Sequence, residues 1–127
     1  LQCEALTGYM PAAFSEAWSF DAAKGSLVPR TRRNGEQREP VVLSTPSGAH
    51  AMGVFTPDRP PAGQPAVGYG SFEFPGAKVV KWNCVFRVRQ AEPIPAGDHA
   101  FRLFVVIGSR EDCRRTLVDL TREFAGR

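Results

Sequence analysis

Few side chains in this sequence combine the types and spacing that chemistry requires. The chain has two histidines, His50 and His99, and Glu73 is the one acid within a predicted core strand of its central region. A carboxylate and a histidine can share general acid and base work, as in epimerases and glycosidases. The serines lack the G-x-S-x-G arrangement of a nucleophile elbow. A sugar-active enzyme using Glu73 with a histidine is therefore an alternative hypothesis, and no catalytic residue is assigned.

Metal and cofactor chemistry finds no support in the sequence. A phosphate-binding GxxxxGK[ST] loop is absent, and the three cysteines contain no CxxC pair. With two histidines, a structural zinc site is not expected, and no cofactor is predicted. Cys84 and Cys113 fall on apolar faces and are predicted to be small buried hydrophobic residues. A disulfide between Cys3 and Cys84 stays open, because it depends on the compartment.

The segment Lys78–Gln90 alternates with the period of two that is typical of a half-buried strand. One face is apolar and consists of Trp82, Cys84, Phe86 and Val88. The opposite face consists of Asn83, Val85, Arg87 and Arg89. The apolar face is predicted to lie in the core, which leaves the amide and the guanidiniums on a face that meets either a ligand or another part of the protein.

A ligand-binding sheet face is the chemistry that these side chains fit best. Aromatic rings stack on the apolar faces of sugars, and amide, guanidinium and carboxylate groups hydrogen-bond sugar hydroxyls. The predicted ligand-binding residues are Trp18, Tyr69, Glu73, Asn83 and Arg87. A structural alternative is a cross-strand ion pair between Glu73 and Arg87 or Arg89.

Composition and charge limit the classes of partner. The chain has 127 residues, 43% of them hydrophobic and 10% aromatic, which favours a single folded domain over residues 1–127. The net charge of +3 is mild, and the basic run of Arg30, Arg32, Arg33 and Arg38 is diluted by acidic and neutral residues. This run is predicted to be a solvated hairpin tip or loop, with a loop that binds anions or acidic glycans as the alternative. Nucleic acid is therefore not an expected partner.

No apolar run approaches the roughly 20 residues that span a bilayer, and no signal peptide is visible. We therefore predict no membrane span. The chain begins at Leu1, which suggests a processed protein or a piece of a longer one. The localisation, cytoplasmic or secreted, is left open.

The pattern of turns and apolar runs predicts a mostly β domain, an antiparallel β-sandwich with one C-terminal α-helix packed on the sheet. The predicted strands are 1–9, 26–30, 36–38, 41–45, 50–56, 67–74, 78–90 and 99–107, with a turn at Asn34-Gly35. Pro11–Asp21 is predicted to form helical turns or an aromatic-rich loop, and the proline-rich stretch Pro57–Ala66 a surface loop.

The C-terminal helix has the clearest sequence signature. Ser109 and Asp112 form a capping-box pair at its start. The apolar residues Cys113, Leu117, Leu120 and Phe124 then recur on one stripe. This stripe predicts a helix that covers part of a sheet.

Four segments within residues 41–125 together carry a family resemblance: AMGVFTPD, KWNCVFRV, PAGD and the strand-to-helix end FRLFVVIGSREDCRRTL. The pattern resembles the C-terminal part of bacterial proteins with galactose-mutarotase-like β-supersandwich domains. That resemblance implies a carbohydrate-associated protein. It also implies a portion of a domain, since a full domain of that kind is longer. The family pairs a catalytic Glu with histidines, but those roles do not map onto this chain, so none is carried over.

The sequence therefore favours a non-catalytic carbohydrate-associated β-domain that binds glycan or packs beside an enzyme domain. The alternatives are the sugar-active enzyme described above and a protein–protein interaction or assembly module, whose sheet is covered by a partner domain or by a second copy in a homo-oligomer.

Overall fold

A computed structural model of the chain describes residues 1–30 and 34–126. This part of the chain contains nine β-strands, one 3-10 helix and one α-helix. The strands are β1 (Gln2–Pro11), β2 (Glu16–Asp21), β3 (Ser26–Pro29), β4 (Gly35–Gln37), β5 (Val41–Ser44), β6 (Ala51–Phe55), β7 (Gly68–Phe74), β8 (Val79–Arg87) and β9 (Phe104–Gly108). The 3-10 helix is Pro75–Ala77, and the α-helix is α1 (Arg110–Glu123).

The strands form two antiparallel sheets that pack face to face. The four-stranded sheet has the order β1-β8-β7-β4, and the five-stranded sheet has the order β3-β2-β5-β6-β9. We call the surface of the four-stranded sheet that points away from the other sheet its outer face. The core between the sheets consists of Val41, Leu43, Met52, Val54, Tyr69, Val80, Trp82, Cys84 and Phe86.

Helix α1 covers the other side of the five-stranded sheet, where it packs on β9, β6 and β5. Its start is fixed by the predicted capping box. The Ser109 hydroxyl accepts a hydrogen bond from the Asp112 N–H, and the Asp112 carboxylate accepts one from the Ser109 N–H, both at 3.0 Å. The apolar stripe places Cys113, Leu117 and Leu120 in a second core against this sheet.

The predicted fold class, an antiparallel β-sandwich with a C-terminal helix packed on it, is confirmed. The hairpin around Pro46–Gly48 is present, because β5 and β6 pair antiparallel. The next hairpin is present as well, because β7 pairs with β8 along its whole length.

The prediction of helical turns or a loop over Pro11–Asp21 is wrong for its second half, where β2 forms. Strand β2 lies between β3 and β5, with Trp18 opposite Val42. Trp18 and Phe20 are two residues apart, so both point toward the core beneath α1. The strand alternation therefore prevails over the helical spacing of Phe14, Ala17 and Trp18, because two neighbouring strands satisfy the backbone of this segment.

The predicted hairpin around Asn34-Gly35 is also wrong. Its two flanking strands exist, but β3 belongs to the five-stranded sheet and β4 to the four-stranded sheet. The chain thus crosses from one sheet to the other here. Arg32 and Arg33, which the sequence placed in a solvated tip, lie outside the described residues, and Arg38 is exposed.

The prediction that the basic run is solvated is wrong for Arg30, because only 6% of this residue is exposed. Its guanidinium donates to the side-chain oxygen of Gln37 at 3.0 Å, to the Ser71 hydroxyl at 3.3 Å and to the Tyr69 carbonyl at 3.0 Å. Burial lowers the pKa of Arg30 to about 10. Arg30 therefore joins the two sheets where the chain crosses between them.

Strand β9 is shorter than predicted and turns a different face to the core. It begins at Phe104, while Phe101 and Leu103 pack against the inter-sheet core from the preceding connection. Alternation along the predicted strand 99–107 puts Val105 and Ile107 on one face with Phe101 and Leu103, but Val105 and Ile107 are exposed. They line an open cleft together with Met10 and Trp82 of the four-stranded sheet.

Candidate functional site on the outer face of the four-stranded sheet

The outer face of the four-stranded sheet carries three aromatic side chains on the two strands that flank β8. Tyr9 lies on β1, and Phe72 and Phe74 lie on β7. Tyr9 is 60% exposed and Phe74 is 44% exposed, whereas Phe72 is half-buried. Helix α1 covers the other sheet, so these rings face solvent.

Strand register places two of these rings in one row across the sheet. Tyr9 lies opposite Lys81 of β8, and Lys81 lies opposite Phe72 of β7. Two strand spacings separate Tyr9 from Phe72, about 10 Å. The Lys81 ammonium lies 5.9 Å from the centre of the Phe72 ring, within the range of a cation–π contact. The row is therefore a flat platform with a lysine between two rings.

Asn83 lies in the next row, between Thr7 of β1 and Gly70 of β7. Its amide occupies the space above Gly70, where a Cβ atom would collide with the amide oxygen and with the Phe72 ring. Glycine is therefore required at position 70 for this close approach. The Asn83 Oδ1 atom is buried, and no described residue donates a hydrogen bond to it. An unmet buried acceptor costs about 1–3 kcal/mol.

The charged groups of this face are paired with each other. Arg87 donates to both carboxylate oxygens of Glu36, at 2.8 and 2.6 Å, and its Nε donates to Gln2 at 3.0 Å. The hydrogen bonds that Arg87 donates to the Glu36 carboxylate raise the pKa of Arg87. Lys81 forms an ion pair with Glu4 at 3.3 Å. Among the described residues, the four charged side chains of this face therefore form two ion pairs and carry no net charge.

The five residues predicted to bind a ligand do not come together. Asn83 and Arg87 share the outer face, as their spacing on one strand predicted. Tyr69 points to the inner face, where its hydroxyl accepts a hydrogen bond from the Thr56 N–H at 3.1 Å. Burial raises the pKa of the Tyr69 phenol. Tyr69 therefore has a core position, away from any ligand on the outer face.

Trp18 lies on the other sheet, on the side covered by α1. Its indole N–H donates to the Ser44 hydroxyl at 3.0 Å, and the Arg110 guanidinium lies 4.5 Å from the centre of its ring. Trp18 and Asn83 thus occupy opposite sides of the sandwich. Trp82 belongs to the inter-sheet core, as predicted from its neighbours Cys84 and Phe86.

Glu73 does not pair with either predicted arginine. It lies opposite Val80, at the far end of the β7–β8 pair from Arg87, which is seven residues further along β8 and so about 23 Å away. Arg87 is held instead by Glu36. Arg89 lies beyond β8, and its backbone N–H donates to Gln64 at 2.6 Å. The register therefore overturns the predicted cross-strand pair.

Neither histidine joins Glu73 in a common hollow. Glu73 lines a depression beside the 3-10 helix with Ala12, Ser15 and Lys78, to which no histidine contributes. His50 lies at the turn before β6, and His99 lies in the exposed connection before β9. Among residues 1–30 and 34–126, no three His, Cys, Asp or Glu side chains cluster as metal ligands would.

The cysteines are free, and two of them are buried as predicted. Burial raises the pKa of the Cys84 thiol to about 12 and that of the Cys113 thiol to about 11. Both thiols are therefore protonated near neutral pH and poor nucleophiles. Cys3 is half-buried on β1.

A second surface feature is an apolar cleft between the edge strands β1 and β9. It has a volume of about 440 Å³ and is lined mainly by Met10, Phe14, Met52, Trp82, Val105 and Ile107. The Trp82 indole N–H is buried, and no described residue accepts a hydrogen bond from it. Ile107 is 82% exposed at the rim, which makes this an uncovered apolar surface.

Sequence reasoning missed Tyr9, Phe72 and Lys81. Phe72 and Phe74 alternate with Tyr69 along the predicted strand 67–74, and Tyr9 lies in the predicted strand 1–9. The missing information was which face of each strand the second sheet covers, and this depends on contacts between distant segments.

Within the described part of the chain, no helix has both the length and the apolar character needed to cross a membrane. Comparison of the chain with protein-family models, with curated protein sequences and with solved structures gives no match. The geometry of the candidate site is therefore the basis for assigning it a function.

Proposed function

We propose that this protein is a non-catalytic carbohydrate-binding domain, and that sugars bind to the outer face of the four-stranded sheet. The observation that carries the proposal is a row of aromatic side chains on an open sheet face. Tyr9 and Phe72 supply the rings, and Thr7 in the next row supplies a hydroxyl.

Each group has a physical role in this proposal. Aromatic rings bury the apolar C–H face of a pyranose, which removes apolar surface from water without a charge. Sugar hydroxyls are hydrogen-bond donors, and the exposed hydroxyl of Thr7 lies one row away from the rings, where it donates to the Trp82 carbonyl and can accept a hydrogen bond from a sugar.

A sugar-active enzyme is less well supported. Its two required groups, a carboxylate and a histidine, do not share a hollow among the described residues, and Glu73 lies on the other side of β7 from the aromatic row. The resemblance to galactose-mutarotase-like proteins stays a prediction, and it agrees with sugar binding without catalysis.

The direct test is isothermal titration calorimetry of the intact chain with a panel of oligosaccharides. Tyr9→Ala is the key variant, because Tyr9 is exposed and its removal leaves the core intact. We expect this variant to bind about tenfold more weakly, as for the loss of a central aromatic contact. The matched control is Val28→Ala, which removes an exposed apolar side chain from the other sheet.

Unchanged affinity in Tyr9→Ala, or an equal loss in Val28→Ala, would contradict this placement of the site. An absence of binding to every oligosaccharide in the panel would refute the proposed function itself. Circular dichroism of each variant checks that the fold is retained.

A second candidate, an assembly module, is favoured by the uncovered cleft between β1 and β9. The edge strand β9 is apolar, and it exposes Ile107 and Val105 with no charged residue within the strand. Such edges tend to pair with another chain. Sedimentation velocity over a range of concentrations tests this candidate: self-association that Ile107→Lys abolishes would support it, and a monomer at all concentrations would exclude a homo-oligomer.

A further inference from the structure

The charges of the outer face bear on the kind of glycan that it can bind. Arg87 is already held by Glu36 through two hydrogen bonds, and Lys81 is paired with Glu4. An acidic sugar would have to displace one of these carboxylates or lie beside it, at an electrostatic cost. A neutral sugar meets no such obstacle, because it needs only rings and hydrogen-bonding groups.

The spacing of the rings bears on the length of the ligand. Tyr9 and Phe72 lie on either side of β8, separated by two strand spacings, about 10 Å. This separation exceeds the width of one pyranose ring, so a single sugar can stack on only one of the two platforms. An extended chain that runs across the strands can stack on both.

The next row gives such a chain a polar side. Thr7 and Asn83 lie two residues from Tyr9 and Lys81 on their respective strands, about 7 Å away. On the other side of the aromatic row lies the exposed ring of Phe74, opposite Val79. Of Thr7 and Asn83, Thr7 is exposed and its hydroxyl can accept a hydrogen bond, whereas Asn83 is buried. A chain lying along the row would therefore have the Thr7 hydroxyl along one edge and apolar groups along the other.

We infer that the ligand of the outer face is a neutral, extended polysaccharide that runs across the strands and stacks on Tyr9 and Phe72. This inference depends on the proposed function, since it specifies the glycan class for the same site. Lys81 lies between the two rings, and its ion pair with Glu4 offsets the positive charge that would otherwise attract an anionic sugar.

The test compares four probes by calorimetry on the intact chain: glucose, cellohexaose, mannohexaose and a linear hexagalacturonate. We expect one of the neutral hexasaccharides to bind at least about tenfold more tightly than glucose and than the hexagalacturonate, because it engages two platforms. Tyr9→Ala and Phe72→Ala should each lower the affinity for that hexasaccharide, while Val28→Ala should not.

Preferred binding of the hexagalacturonate, or equal affinity for glucose and the hexasaccharides, would overturn this inference and leave sugar binding standing. Failure of all four probes, together with the wider panel, would overturn both.

Discussion

Replacement of Asn83 by leucine should make this protein more stable. Asn83 is 3% exposed, and its amide oxygen accepts no hydrogen bond from the described residues. The neighbouring position on the same face is occupied by Val85, which is fully buried, so this part of the face accommodates an apolar side chain. Leucine branches at the same carbon as asparagine, so it leaves no cavity above Gly70, but its methyl groups are larger than the amide atoms and pack more tightly there. Removal of an unmet buried acceptor returns about 1–3 kcal/mol, and we expect a net gain of about 1–2 kcal/mol after imperfect packing.

The gain can be measured by urea unfolding and by thermal unfolding of the two chains. For a domain of this size, 1 kcal/mol corresponds to about 4 °C in Tm, so the expected rise is about 4–8 °C. Val85→Ala is the control in the opposite direction, because it removes buried methyl groups and should lower the stability by about 1–3 kcal/mol.

Asn83→Leu also tests why the amide is present. If Asn83 serves a ligand, the leucine variant should be more stable and bind the hexasaccharide more weakly, a trade between stability and function. A fall of more than about 1 kcal/mol in the free energy of unfolding would mean that the amide contributes to the fold, and it would refute the reasoning.

Four other outcomes are expected. Ellman's reagent at pH 8 should modify Cys3 before Cys84 in the folded protein, because burial keeps the Cys84 thiol protonated; equal rates would contradict its burial. Burial raises the pKa of Cys84 from 9.0 to about 12 in the folded protein, so between these values the unfolded chain loses the thiol proton and the folded chain keeps it. The free energy of unfolding is therefore unaffected by this thiol below pH 9 and falls by about 1.4 kcal/mol per pH unit as the pH rises toward 12. Cys84→Ala should flatten this part of the stability–pH curve, and an unchanged slope would exclude the thiol as its cause. Leu117→Ala should lower the free energy of unfolding in urea by about 2–5 kcal/mol, because this side chain of α1 is fully buried against the five-stranded sheet. A loss below about 1 kcal/mol would contradict this helix packing. Ser109→Ala should cost about 1 kcal/mol through the lost helix cap, and Ser109→Asp should restore most of it.

Local sequence patterns were sufficient to predict the elements whose main contacts lie close by in the sequence. The capping pair Ser109 and Asp112 and the stripe of α1 were readable because helix contacts are close in sequence. The hairpins of β5 with β6 and of β7 with β8 were readable for the same reason, because a short turn joins each pair.

Local patterns failed where a segment is held by distant ones. The stretch that contains Trp18 has helical spacing, yet it forms β2 because β3 and β5 flank it. Arg30 sits in a polar run, yet it is buried because the chain crosses between the sheets at that point. Local sequence patterns could not predict either contact, because Ser71, the partner of Arg30, and Val42, the partner of Trp18, lie far from them along the chain.

The candidate site shows the same division. By itself, the sequence determined that Asn83 and Arg87 share a face, because alternation along one strand needs no other information. It could not determine that Tyr9 and Phe72 join them, or that Tyr69 and Trp18 do not. Those positions follow from strand register and from which sheet face the second layer covers. A strand always has two faces, and only packing against another sheet or a helix decides which of them stays open to a ligand.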